Sequence, residues 1–131
     1  MLALVTGASK GIGNAIAKAL ANEGIDLVIN SRSIHDLELL KTEILTLHPN
    51  LHIDIFRADL SVANEVDELI DFIIQKNLYL DILVNNAGIY QPGMIIDGPD
   101  GFLEQMMNTN FYSIFRLTRG LLPKLIRQKS G

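Results

Sequence analysis

Apolar residues along this chain fall into short uninterrupted runs, separated by longer stretches where they recur every three or four positions. The run LALVT (2–6) ends in a glycine turn, after which Ile16, Leu20 and the intervening alanines keep helical spacing up to Gly24. The unit then repeats. DLVIN (26–30) predicts a second strand, and Ser33 with Asp36 three residues on has the form of a capping box opening a helix through Leu37, Leu40, Ile44 and Leu47. HIDIF (52–56) predicts a third strand, followed by a helix capped by Ser61 and carrying Val66, Leu69, Ile70 and Ile73; DILVN (81–85) predicts a fourth strand. Strands alternating with helices of roughly 12 to 16 residues call for right-handed crossovers and a parallel sheet covered on both faces. The expected fold class is therefore α/β.

After Gly88 comes IYQPGMIIDGPDG (89–101), whose three glycines and two prolines oppose regular structure and suit a binding loop. From about Phe102 the helical period returns as one long helix (102–128), with Phe111, Ile114, Phe115, Leu121, Leu122, Leu125 and Ile126 along one side. Arg127 and Lys129 suit its negative end, and Gly131 fits the position just past it. A fifth strand would be expected next.

Composition narrows the function classes. The 131 residues, 48% of them apolar, are expected to form one domain over 1–131 that buries roughly two-thirds of its unfolded surface. Net charge is -4 and the 11 Lys and Arg are scattered, so no basic patch for nucleic acid or an anionic membrane stands out. Absence of cysteine removes disulfides and thiolate chemistry. No apolar run approaches the ~20 residues of a membrane span, and Met1 to Val5 leads straight into the glycine turn, so a cytoplasmic location is expected. His35, His48 and His52 show no metal-ligand spacing, and no metal site is expected.

The glycine turn carries the first chemistry. Gly7, Gly11 and Gly13 do not form the P-loop pattern, because no Gly-Lys-Ser/Thr follows at the required distance, and they are not GxGxxG either. They still supply a tight turn, close approach for a pyrophosphate, and a helix N-terminus with unpaired N–H groups. A plain tight turn is the alternative.

TGASKGIG (6–13), the Asp59-Leu60 pair after the third strand, NNAG (85–88) after the fourth and NTNFYSIF (108–115) in the long helix resemble the short-chain dehydrogenase/reductase family, most of all bacterial 3-oxoacyl-(acyl-carrier-protein) reductases. The resemblance spans the whole chain. It implies a Rossmann-type sheet of strand order 3-2-1-4 and hydride transfer between a nicotinamide dinucleotide and a carbonyl/alcohol pair. Carried over, Gly7, Gly11 and Gly13 would shape the pyrophosphate turn, with Ile12 donating its backbone N–H, and Ser9 and Lys10 of the same loop would also belong to the cofactor site. Asp59 would accept from the adenine amino group beside Leu60, and Asn86, Ala87 and Gly88 would border the nicotinamide-side ribose. Thr6 and Asn85 would hold strands together. Asp59 could instead cap the helix near Ser61.

Choice of dinucleotide depends on the end of the second strand. A carboxylate there holds a ribose 2′-hydroxyl, whereas a 2′-phosphate wants a cation. The stretch reads Asn30, Ser31, Arg32: the acid is missing, Arg32 offers a planar fork, and Lys10 could add a second charge, although either cation could be a plain surface residue. The expected cofactor is NADP(H).

Reduction of a carbonyl also needs an acid for the developing alkoxide. The family resemblance implies a Ser and a Tyr-x-x-x-Lys, yet Tyr79 and Tyr90 have no basic residue four positions on, and Tyr112 with Arg116 sits on the wrong helix. Of the catalytic set only Asn110 is matched, resembling the Asn that holds a water against the active-site Lys; a capping or kink role is the alternative. The expected protein is an NADP(H)-dependent oxidoreductase, first guess a 3-oxoacyl thioester reductase, of which 1–131 is the cofactor-binding half. The rival is a non-catalytic dinucleotide-binding or interaction module. Family members pair through the long helix, which implies a homo-oligomer; a helix buried wholly in its own domain is the alternative.

Overall fold

The apolar runs form β1 (Leu2–Val5), β2 (Asp26–Ser31), β3 (Ile53–Arg57) and β4 (Ile82–Val84) in a computed structural model that describes residues 1–76 and 79–129. All pair in parallel, in the order β3-β2-β1-β4, with Ala3 opposite Leu27 on one side and Ile82 on the other. Parallel strands covered on both faces read as continuous apolar runs rather than alternating ones, which is why LALV and LVI are apolar throughout.

The helices are α1 (Gly11–Asn22), α2 (Ile34–Leu47), α3 (Ala63–Gln75), α4 (Phe102–Met107) and α5 (Ser113–Gln128). Successive strand residues point to opposite faces, so the sheet feeds two cores. Leu2, Leu4 and Val28 pack with Val66, Leu69, Ile70 and Ile73 of α3 and Leu117 and Leu121 of α5. Ala3, Val5, Leu27 and Ile29 pack with Ala17 and Ala21 of α1 and Leu37, Leu40 and Ile44 of α2. The result is the three-layer, doubly wound α/β sheet that the alternating pattern predicts.

Three expectations need correction. Ser61 does not cap α3: its hydroxyl donates to Asp59 Oδ1 at 2.8 Å, and the N-cap is Val62, which has no side-chain acceptor. For α2, Ser33 Oγ does accept from Asp36 N–H at 3.3 Å, but the return half of the box is absent because Ser33 N–H donates to Ser31 Oγ.

The long helix 102–128 is also interrupted. Asn108–Tyr112 is a π turn between α4 and α5, an insertion that shifts every side chain after it around the axis. The inward face of α5 is therefore Ser113, Leu117 and Leu121, while Phe111, Phe115, Leu122 and Ile126 are exposed. Gly120 permits this packing, since a Cβ there would lie 2.6 Å from Ile70 Cδ1. At its end Arg127 lies in the last turn and Lys129 is a left-handed C-cap; Gly131 lies outside the described residues.

Candidate functional site

The order β3-β2-β1-β4 reverses direction between β1 and β4, and ligands of such sheets bind beyond the carboxyl ends of the strands at that switch. A cavity of about 540 Å³ opens there, and all four strands contribute to it through the residues that follow them.

From β1 come Gly7, Ser9, Lys10 and Ile12. Gly7 has φ +64° and sits against the β4 loop, where a Cβ would meet Ala87 Cα at 2.9 Å. Gly11 and Gly13 do not line the cavity; they shape its wall. Gly11 has open space around it but φ +56°, so its role is conformational. Gly13 is a matter of room: a Cβ would stand 2.3 Å from Gly7 O and 2.4 Å from Asn86 Nδ2. Lys10, the N-cap of α1, makes no side-chain cap, so the first-turn amides remain open to another acceptor. Uncapped amides beside a glycine cradle fit the pyrophosphate of a dinucleotide.

From β2 come Asn30, Ser31, Arg32, Ser33 and Asp36. Arg32 is exposed and pairs with no carboxylate among the described residues. Lys10, expected beside it as a second free cation, lies 3.5 Å from Asp36 Oδ2, so that charge is shared with an acid on α2. The sequence pattern gave Asp36 only a place in the capping box of α2, with no role at the site. Its place at helix position N3, beside the turn, brings it to the cavity.

Ala58, Asp59 and Leu60 follow β3. Leu60 is buried in the α3–α5 core and forms the floor. Asp59 Oδ1 accepts from the backbone N–H and the hydroxyl of Ser61 at 2.9 and 2.8 Å, an Asx turn rather than a cap on α3.

Asn86, Ala87, Gly88 and Ile89 follow β4. Thr6 ties this loop to β1: its hydroxyl donates to Val84 O and accepts from the N–H groups of Asn86 and Ala87, which exhausts its capacity. Asn86 Nδ2 donates to Thr6 O at 2.9 Å and Gly7 O at 3.2 Å. Asn85 reaches Thr118 Oγ1 on α5 at 3.3 Å, joining strand to helix.

Asn110 is not among the cavity-lining residues. Its Oδ1 accepts from Ile89 N–H and its Nδ2 donates to Ile89 O, both at 2.8 Å, so the amide clamps the loop after β4 onto the π turn. Thr109, beside it, does line the cavity.

Among the described residues no group of three or more His, Cys, Asp or Glu could hold a metal, and no helix is long and apolar enough to cross a membrane. Two of the three histidines have local partners: His48 Nε2 lies 2.8 Å from Asn22 Oδ1, and His52 Nε2 lies 3.5 Å from Asp54 Oδ2.

A doubly wound sheet, a glycine cradle under an uncapped helix and a cavity at the switch point define the Rossmann class. The sequence profile of the short chain dehydrogenase family matches residues 1–131, and the chain belongs to that family. It is 35% identical over 129 residues to the uncharacterized oxidoreductase YmfI of Bacillus subtilis, covering 98% of this chain and 52% of that protein. It is 32% identical over 130 residues to the 3-oxoacyl-(acyl-carrier-protein) reductase FabG of Staphylococcus epidermidis, again covering 98% and 52%. A metagenomic short-chain oxidoreductase solved in complex with NADP superposes with a TM-score of 0.91 at 28% identity, over 100% of this chain and 59% of that one. The chain thus spans about half the length of the curated relatives it matches.

Proposed function

We propose that residues 1–131 form the cofactor-binding half of an NADP(H)-dependent reductase that interconverts a carbonyl and an alcohol. The observation that carries the reading is Arg32, exposed and without an ion-pair partner among the described residues, at the cavity end where Ser31 stands in place of an acid. The NADP in the metagenomic relative supports it. NADPH, when bound, supplies the hydride.

The residues of this chain hold and orient. The first-turn amides of α1, Ile12 N–H among them, take the pyrophosphate over Gly7, Gly11 and Gly13, with Ser9 beside them. Arg32 takes the 2′-phosphate, and Lys10 shifts between it and Asp36. Asp59, over Leu60, accepts from the adenine amine. Asn86, Ala87 and Gly88 border the nicotinamide-side ribose, and Asn110 fixes the adjoining loop through Ile89. The proton donor, a Tyr-x-x-x-Lys with its Ser, comes from the further length that the relatives have. The first substrate to try is a 3-oxoacyl thioester, on the likeness to the S. epidermidis reductase. Assembly is through α5, whose Phe115 and Ile126 are 57% and 65% exposed. The cytoplasm is the compartment we assign.

Titrating NADPH and NADH against the protein and its Arg32→Asp variant tests the cofactor reading. Loss of a charge-assisted contact worth about 1.5–3 kcal/mol should weaken NADPH by about 10- to 150-fold and leave NADH nearly unchanged. Equal affinities for the two dinucleotides in the unaltered protein would overturn it. NADPH consumption with an acetoacetyl thioester tests the substrate class.

A further inference from the structure

Helix α3 opens without a side-chain cap, yet it carries a glutamate at the third position of its first turn, where a capping box would place one. In such a box the glutamate returns to the N–H of the N-cap. Here the Val62 N–H instead donates to Asp59 O at 3.0 Å, and Glu65 reaches three residues further back. Its Oε2 accepts the backbone N–H of Asp59 at 2.7 Å and Arg57 Nη1 at 2.8 Å. The carboxylate is spent on the segment before the helix, not on the helix itself.

That segment lines the cavity. Asp59 is held on two further sides, because its Oδ1 takes both the N–H and the hydroxyl of Ser61. With the backbone fixed by Glu65 and Oδ1 taken by Ser61, the Oδ2 of Asp59 is left with no hydrogen bond among the described residues.

We propose that Glu65 is a positioning residue for the adenine end of the cofactor: by fixing the Asp59 backbone it sets Asp59 Oδ2 to receive the exocyclic amine. This rests on the reading of Asp59 given above. What matters in Glu65 is the length of the arm and its acceptor oxygen. Its charge is secondary.

Two variants separate reach from charge. Glu65→Gln keeps the reach and an acceptor for Asp59 N–H but loses the charge; Glu65→Asp keeps the charge at the helix N-terminus and shortens the arm by one methylene. The probes are NADPH and its hypoxanthine analogue, in which an oxo group replaces the amine and turns a donor into an acceptor. Both are titrated by fluorescence, with thermal melting alongside. The unaltered protein should prefer NADPH by about tenfold or more, the worth of a hydrogen bond to a charged group. Glu65→Gln should stay within about threefold of that preference, whereas Glu65→Asp should lose most of it, and the NADPH-to-NADH ratio should hold in both. A helix-terminal charge role would rank the variants the other way, and that ranking, or an undiminished preference in Glu65→Asp, overturns the proposal. No preference for adenine in the unaltered protein would overturn the Asp59 reading and this proposal with it, whereas its loss in Glu65→Asp alone supports both.

Discussion

Replacing Gly13 with alanine is the sharpest perturbation of the glycine cradle. The added Cβ would lie 2.3 Å from Gly7 O, 2.4 Å from Asn86 Nδ2 and 2.9 Å from Gly7 C. Two of these atoms are backbone of the turn itself, so α1 must lift away from β1 or the turn must deform. Overpacking of this kind costs about 1–3 kcal/mol. Displacing Asn86 Nδ2 also breaks its bonds to Thr6 O and Gly7 O, at about 0.5–1.5 kcal/mol each, so the total is about 2–6 kcal/mol. Gly11→Ala is the control, since nothing lies within 4 Å and only the φ of +56° penalises it, by about 1–2 kcal/mol. Urea unfolding followed by circular dichroism should give a lower midpoint with unchanged slope for both, with Gly13→Ala the lower. A Gly13→Ala protein as stable as the parent, or more stable than Gly11→Ala, would refute the account of the cradle.

Three other perturbations are informative. Thr6→Val keeps the shape but leaves the N–H groups of Asn86 and Ala87 without their acceptor, and should cost about 1–3 kcal/mol in the same unfolding assay. Asp36→Asn removes a carboxylate from the cavity wall and releases Lys10, so the NADPH-to-NADH affinity ratio should rise by about two- to fivefold in a paired titration. The hydrogen bonds from Arg116, followed by its charge and that of Arg119, hold the Asp67 carboxyl below its ordinary 3.8. A depressed acid contributes stability above its unfolded pKa and loses it as pH falls through the folded one, so the melting difference between the parent and Arg116→Ala should be present at neutral pH and fade below about pH 4.

The sheet was legible because β1 and β2, buried along nearly their whole length, are written as apolar runs bounded by turns, and the half-buried β3 and β4 still stand out as short segments rich in Ile, Leu and Val. Helices α1 to α3 were legible through their periodicity. Strand order came from the family likeness, not from spacing. What escaped was set by contacts between segments. Ser61 has the look of a cap, but Asp59 two residues earlier takes its hydroxyl. The apolar stripe of 102–128 reads as continuous, but the clamp between Asn110 and Ile89 accompanies a π turn that rotates the register, so Phe111 and Phe115 face outward. At the site, the glycine turn and Arg32 could be picked out from their places after β1 and β2, whereas Asp59 and the Asn86 loop came from the family likeness. Asp36 and Glu65 could not: both are first-turn helical acids, indistinguishable in sequence from residues that favour a helix N-terminus.

The central claim is that this cavity takes a 2′-phosphorylated dinucleotide across the switch point. A crystal structure of the protein with NADPH bound tests it most directly. The account predicts the pyrophosphate against the first-turn amides of α1, with Ile12 N–H within hydrogen-bond reach, and the 2′-phosphate on the Arg32 guanidinium. A 2′-phosphate turned to solvent away from Arg32, or a dinucleotide seated elsewhere on the molecule, would contradict it.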